Sequence, residues 1–311
     1  MPLPDNTATF HGTPARVAAA AASCPPGADP SVPDLAARLL ERSIPDDARL
    51  EQDLAQAIGR GQMTLHFQPR LCLERRSILG AEALSRWPHR RRGMVPPAVF
   101  IPIAEHSGHI LALGRWALGA ACAQAATWPG KAVVSVNVSA VQLAQGDLLG
   151  DVEAALERSG LPPSRLELEL TESMLVDAGI ETLLTLSAIR DRGIGIALDD
   201  FGTGYASLAA LKRLPLSVMK LDRSLVQGML RYPEDTAIAH AVIAVGRALG
   251  LSIVAEGVDN EAQCRALLAV GCREGQSFFL GKPMPADALR RLLAAELGAA
   301  PGPAVAPGMP A

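Results

Sequence analysis

Several short apolar runs in this chain end on a single carboxylate, amide or amine. They are Gly80-Ala-Glu82, Val133-Val-Ser-Val-Asn137, Leu166-Glu-Leu-Glu169, Ile194 to Asp199-Asp200, Val218-Met-Lys220, Ile253-Val-Ala-Glu256 and the run carrying Gln276. Only 32 of 311 residues are acidic, so repeated closure on Asp or Glu exceeds chance. In a barrel of parallel strands the C-terminal strand ends converge on one rim, where chemistry sits. The pattern therefore predicts one acidic pocket fed by many strands. Mg²⁺ and Mn²⁺ favour oxygen ligands, and Glu82, Asn137, Glu169, Asp199 and Asp200 supply them. Adjacent carboxylates at Asp199 and Asp200 can serve two ions, and two ions about 3.5–4 Å apart suit displacement at phosphorus. Carboxylates packed this closely repel one another unless cations intervene. Lys220 is the one cation among these strand ends, so it should stay protonated and can hold a water or neutralise phosphate charge.

Other chemistries find less support. His66, His89, His106, His109 and His240 show no metal-ligand spacing, which disfavours a histidine zinc site. Ser139, Ser173 and Ser224 stand in no Gly-x-Ser-x-Gly elbow. Gly202-Thr-Gly204 lacks the spacing of a dinucleotide or Walker loop and reads as a tight turn or a loop beside the site. A formal net charge of −3 gives no electrostatic footprint for a nucleic-acid polymer, and Arg90-Arg91-Arg92 reads as a solvated loop. Five cysteines without a Cys-x-x-Cys pair suit reduced thiols in a cytoplasm. No stretch approaches the ~20 apolar residues that span a bilayer, so membrane insertion is not expected.

The elements that must position these residues alternate. Helical periodicity marks residues 49–59, 98–106, 110–128, 148–159, 180–192, 205–214, 235–249, 261–270 and 286–297. Strands fall at 63–68, 78–84, 133–138, 166–170, 194–198, 218–221, 252–255 and 276–280. About eight strands alternating with helices predict an α/β fold, a (β/α)8 TIM-like barrel. Residues 1–45, rich in Pro, Ala and Ser, read as a flexible leader that could carry a regulatory partner. Residues 46–298 read as the barrel and 299–311 as a disordered tail.

These segments closely resemble the EAL family of cyclic-di-GMP phosphodiesterases. The resemblance covers about residues 46–290 and rests on ordered motifs. They are Phe67-Gln68-Pro69, Glu82-Ala83-Leu84 extended by Ser85-Arg86-Trp87, Phe100 to Glu105, Asn137-Val-Ser139 and Glu169-Leu-Thr-Glu172. Asp199 to Tyr205, Lys220-Leu-Asp222-Arg-Ser224, Ala255-Glu256-Gly-Val258 and Lys282 to Pro285 complete the series. It implies a modified barrel whose first strand runs antiparallel to the rest. It implies hydrolysis of cyclic di-GMP to linear pGpG with Mg²⁺ or Mn²⁺. Glu82, Asn137, Glu169 and Asp199 would hold one ion, with Asp199, Asp200 and Glu256 around the second. Lys220 would orient the attacking water, with Gln276 nearby. Gln68 and Arg86 would meet substrate, and Asp222 would lie beside the second ion. Glu172 would anchor the Asp200–Leu208 loop, and a homodimer would form through nearby helices. Departures are Ala206, Arg273 and Ser277-Phe278, the last standing where Gly-Tyr is usual. The alternative reading is a cyclic-di-GMP receptor or interaction module with little or no turnover.

Overall fold

In the strand β4 (Val133–Asn137), Val134 and Val136 join the main core while Ser135 and Asn137 take the opposite face. Successive side chains leave a strand on alternate sides, so such a segment makes a wall that is apolar outside and polar inside. The same alternation runs through β5 (Leu166–Thr171), β6 (Gly195–Phe201), β7 (Val218–Leu221) and β8 (Ser252–Glu256). The computed structural model describes residues 48–176, 179–202 and 211–299.

The remaining strands are β1 (Thr64–Cys72), β2 (Ile78–His89), β3 (Gly93–Val95), β9 (Glu274–Gln276) and β10 (Met284–Pro285). Their order is β10-β1-β9-β8-β7-β6-β5-β4-β2-β3, and a β1–β2 pairing closes the ring. Strand β1 is antiparallel to both ring neighbours, β2 and β9. All other ring pairs are parallel. The expected TIM-like barrel with an antiparallel first strand is therefore the observed one.

Helices cover the outer face. Leu186 and Ile189 of the helix Ile180–Asp191, and Ala239 and Ile243 of Pro233–Ala248, are buried in the same cluster as Leu168, Ile196 and Met219. Burying each large aliphatic side chain contributes about 1.5–3 kcal/mol. A second cluster gathers Leu50, Leu54, Trp87 and Phe100 beside the β2–β3 hairpin.

Two expectations are corrected. Residues 277–280 do not continue the last strand: the Ser277 hydroxyl accepts from Leu280 N–H at 3.2 Å and Gly281 N–H donates to Ser277 O at 2.9 Å. That turn ends β9 at Gln276. Strand β2 runs on to His89, beyond its expected end at Leu84, and pairs with β3, with Arg90-Arg91-Arg92 forming the exposed turn between them. Pro88 is tolerated there because a strand edge needs no donor from it. Short helices at Ala140–Gln145, Glu172–Val176 and Arg223–Gly228 also go beyond the periodicity, since one turn or two carries too little of it. Local capping makes the first of these legible afterwards, through the Ser139–Gln142 capping box. The leader, the tail beyond Ala299, and residues 203–210 lie outside the described residues. That last stretch holds Ala206 and most of the expected helix over 205–214.

Candidate active site

Parity places the site. Asn137, Glu169, Asp199, Lys220 and Glu256 stand at even offsets from inward residues of their strands, so all enter the barrel near its C-terminal rim. Strand β1 brings Gln68 opposite Glu82 in antiparallel register. Lys220 is 1% exposed and reaches four carboxylates. Its Nζ lies 2.8 Å from Glu256, 3.0 Å from Glu169, 3.1 Å from Asp199 and 3.9 Å from Glu82. Amides orient Glu82: Asn137 Nδ2 donates to one oxygen at 2.6 Å and Gln276 Nε2 to the other at 2.5 Å.

Burial alone would lower the Lys220 ammonium, but Glu169, Glu82, Glu256 and Asp199 outweigh it and hold the group well above the usual lysine range. The acids move the other way. Burial lifts Glu256 to about 7 against the pull of Lys220, with Asp199 and Glu82 adding repulsion. Burial, then neighbouring carboxylates, also raise Glu169. Asp200 is raised by burial first and by Asp199 and Asp222 next. One ammonium does not balance this set.

The other predicted residues surround that centre. Asp200 adopts φ 56, beside a register shift between β6 and β7 after Leu198. That left-handed conformation is uncommon outside glycine, though aspartate adopts it more readily than most residues, and the Asp200 carboxylate lies in a cluster with Asp199 and Glu256. Oxygens of those three residues lie within 4.8 Å of one another. Asp222 caps the helix Arg223–Gly228 by accepting from Ser224 N–H at 2.8 Å. Buried Glu172 accepts from Gly202 N–H at 3.4 Å. Gln68 Nε2 donates to Gly281 O at 3.3 Å, and Arg86 donates to Ser85 O at 3.0 Å within field range of Glu82.

Comparison with known proteins places the chain in a family. The EAL domain model matches residues 51–283. The chain belongs to the EAL domain family. The bifunctional diguanylate cyclase/cyclic di-GMP phosphodiesterase MucR of Pseudomonas aeruginosa is 44% identical over 248 residues, covering 78% of this chain and 36% of that protein. The cyclic di-GMP phosphodiesterase PdeR of Escherichia coli is 36% identical, covering 78% of this chain and 37% of its own length. The chain thus spans about a third of these curated relatives. The solved PaMucR phosphodiesterase in its c-di-GMP complex is 43% identical with a TM-score of 0.74, covering 78% of this chain and 99% of that one.

Two parts of this EAL domain were not anticipated. Beneath the rim, Arg70 NH1 lies 2.8 Å from Glu167 and its Nε 3.5 Å from Glu274, while Ser135 donates to Glu167 at 2.9 Å. The Leu-Glu-Leu-Glu alternation of β5 signalled it, since both glutamates share one parity. Beside the rim, Arg223, Asp259 and Phe278 line a cleft of about 380 Å³ with Glu82, Glu256 and Gln276. Phe278 stood out only as a departure from the family pattern.

The residues present fit divalent cations. Among the described residues Glu169 Oε1 is buried without a hydrogen-bond partner, and an unpaired buried carboxylate oxygen costs stability unless a ligand meets it. Its neighbours are oxygen donors, the ligands that hard cations take.

Proposed function

We propose that this chain hydrolyses cyclic di-GMP to linear pGpG using two divalent ions, Mg²⁺ or Mn²⁺. The observation that carries the reading is Lys220 enclosed by Glu82, Glu169, Asp199 and Glu256 at the ends of separate strands. Glu82, Asn137, Glu169 and Asp199 would hold one ion, and Asp199, Asp200 and Glu256 the other. Bound there, such ions would activate a water and stabilise charge on the reacting phosphate.

The chain's own residues prepare that step. Lys220 Nζ stays protonated and orients the attacking water by donating to it. The Asn137 and Gln276 amides fix the Glu82 carboxylate, so it does not reorient as substrate enters. Arg86 and Gln68 hold the phosphate and base region, and Asp222 stands beside the Asp200 side. Water adds to phosphorus, the bond to the 3′ oxygen breaks, and that oxygen leaves with a proton. Glu172 anchors the segment after Asp200. A cytoplasmic homodimer belongs to the same proposal, and among the described residues no helix is long and apolar enough to cross a membrane.

The test is product analysis of purified chain with cyclic di-GMP and Mg²⁺ or Mn²⁺. Linear pGpG is expected, with turnover lost in Glu82→Ala while the fold persists. Binding without product would favour the receptor reading instead.

A further inference from the structure

The three arginines between β2 and β3 stand on a turn that is held from beneath. His89 pairs with Gly93, so Arg90, Arg91 and Arg92 make up the whole loop. Gly93 has φ 71, the left-handed position that closes a three-residue hairpin. The backbone N–H groups of Arg91 and Arg92 both donate to His89 Nδ1 at 3.2 Å. Nδ1 is thus the accepting nitrogen of the ring, and Nε2 donates to Asp53 at 3.1 Å. The imidazole also stands perpendicular to buried Trp87, with ring centroids 5.2 Å apart. Asp53 is engaged by His89, and no carboxylate among the described residues pairs with the side chain of Arg90 or Arg91. All three arginines are exposed. Apolar surface adjoins them: Met94, after the closing glycine, is 54% exposed, and Val99, in the first turn of the helix Pro97–His106, is 43% exposed.

We infer that this hairpin tip docks the chain on an anionic phospholipid surface. An exposed tip, unlike a cleft, does not enclose a small anion, and it suits a broad array of them. Arginine forks hold phosphate oxygens in pairs, and each arginine near anionic headgroups strengthens association about fivefold. Met94 and Val99 add an apolar edge that enters the headgroup layer, which a purely acidic partner would not use. A loop already fixed by His89 loses little conformational freedom on docking. The chain's net charge of −3 makes the attraction local to the tip and counts against a nucleic-acid polymer. The contact is peripheral and crosses no bilayer. It needs no turnover, so it stands or falls apart from the proposed function.

Co-sedimentation of the full chain with vesicles tests it, comparing equimolar phosphatidylcholine and phosphatidylglycerol with phosphatidylcholine alone. The chain should pellet with the anionic vesicles only, and added salt should release it. Arg90→Ser combined with Arg91→Ser removes two charges and keeps the backbone donors to His89. Its melting temperature should hold while vesicle affinity falls about thirtyfold. Met94→Ser, with the charges intact, should weaken binding about fivefold. Undiminished binding by the double variant, equal binding to both kinds of vesicle, or binding to neither overturns the inference. Capture by immobilised polyglutamate without vesicle binding also overturns it, and assigns the hairpin to an acidic protein instead.

Discussion

The barrel interior buries carboxylates at two levels, and the two levels are satisfied differently. On the floor, Arg70 meets Glu167 and Glu274, and Ser135 supports the same Glu167 oxygen that Arg70 holds. One guanidinium meets two carboxylates there, so the acidic excess is smaller than at the rim, although Arg70 Nε has no hydrogen-bond partner among the described residues. At the rim, Lys220 alone faces Glu256, Glu169, Asp199 and Glu82, with Asp200 close by. Among the described residues Glu169 Oε1 is left without a hydrogen-bond partner. The smaller excess suits a structural cluster, whereas the larger one suits a site that binds positive charge.

The largest effect should come from the rim's one ammonium. Lys220→Met, assayed with saturating Mg²⁺ or Mn²⁺, should lower turnover about 10²–10³-fold, the cost of removing an aligned donor from a reacting oxygen. A loss below fivefold would remove Lys220 from the chemistry. The floor should answer through stability instead. Arg70→Met strands Glu167 and Glu274 in the interior, and breaking a buried pair costs about 3–5 kcal/mol. Denaturant midpoints would show this, and added metal should not restore it. If metal did restore it, the distinction between the two levels would collapse.

Next in size is the pH dependence of metal stabilisation. Glu256 sits at about 7 in the folded chain, above the ordinary carboxylate value. Between those values the folded metal-free chain holds a proton that the unfolded chain has released. Stability of the metal-free chain therefore falls as pH rises through that window. Cations favour the ionised form, so the melting shift produced by Mg²⁺ should grow from pH 5 to pH 8. Thermal scans along a pH series check this, and a constant shift would show that Glu256 does not participate. The smallest effect belongs to Ser135→Ala, which removes one hydrogen bond from the floor. It should cost about 1 kcal/mol by denaturant titration and leave turnover unchanged.

Much of the rim was legible in the sequence because each of its charged or amide side chains ends its own apolar run, a signal contained in a few residues. Glu82, Asn137, Glu169, Asp199, Lys220 and Glu256 needed only alternation and parallel strands to converge. The floor was not legible in the same way. Arg70 and Glu167 are 97 positions apart, and only the antiparallel insertion of β1 brings them together. The end of β9 misled for a local reason: an apolar Phe-Phe-Leu run reads as strand, but the Ser277 hydroxyl closes a turn there. The β2–β3 hairpin hid behind Pro88 and three arginines. Its register pairs Trp87 with Val95, and the indole is buried against Phe100 at 5.9 Å between ring centroids. Packing rather than propensity sets that hairpin.

In the proposed function, the rim's excess negative charge is a two-cation site for phosphodiester hydrolysis. Stripping the purified chain with chelator and restoring Mn²⁺ stepwise, while following pGpG release from cyclic di-GMP, tests it directly. The account predicts no product before restoration and a rate that rises with Mn²⁺ to a plateau, absent in Asp199→Asn. Undiminished pGpG release from the stripped chain, or none at any Mn²⁺ concentration from folded protein, would contradict it.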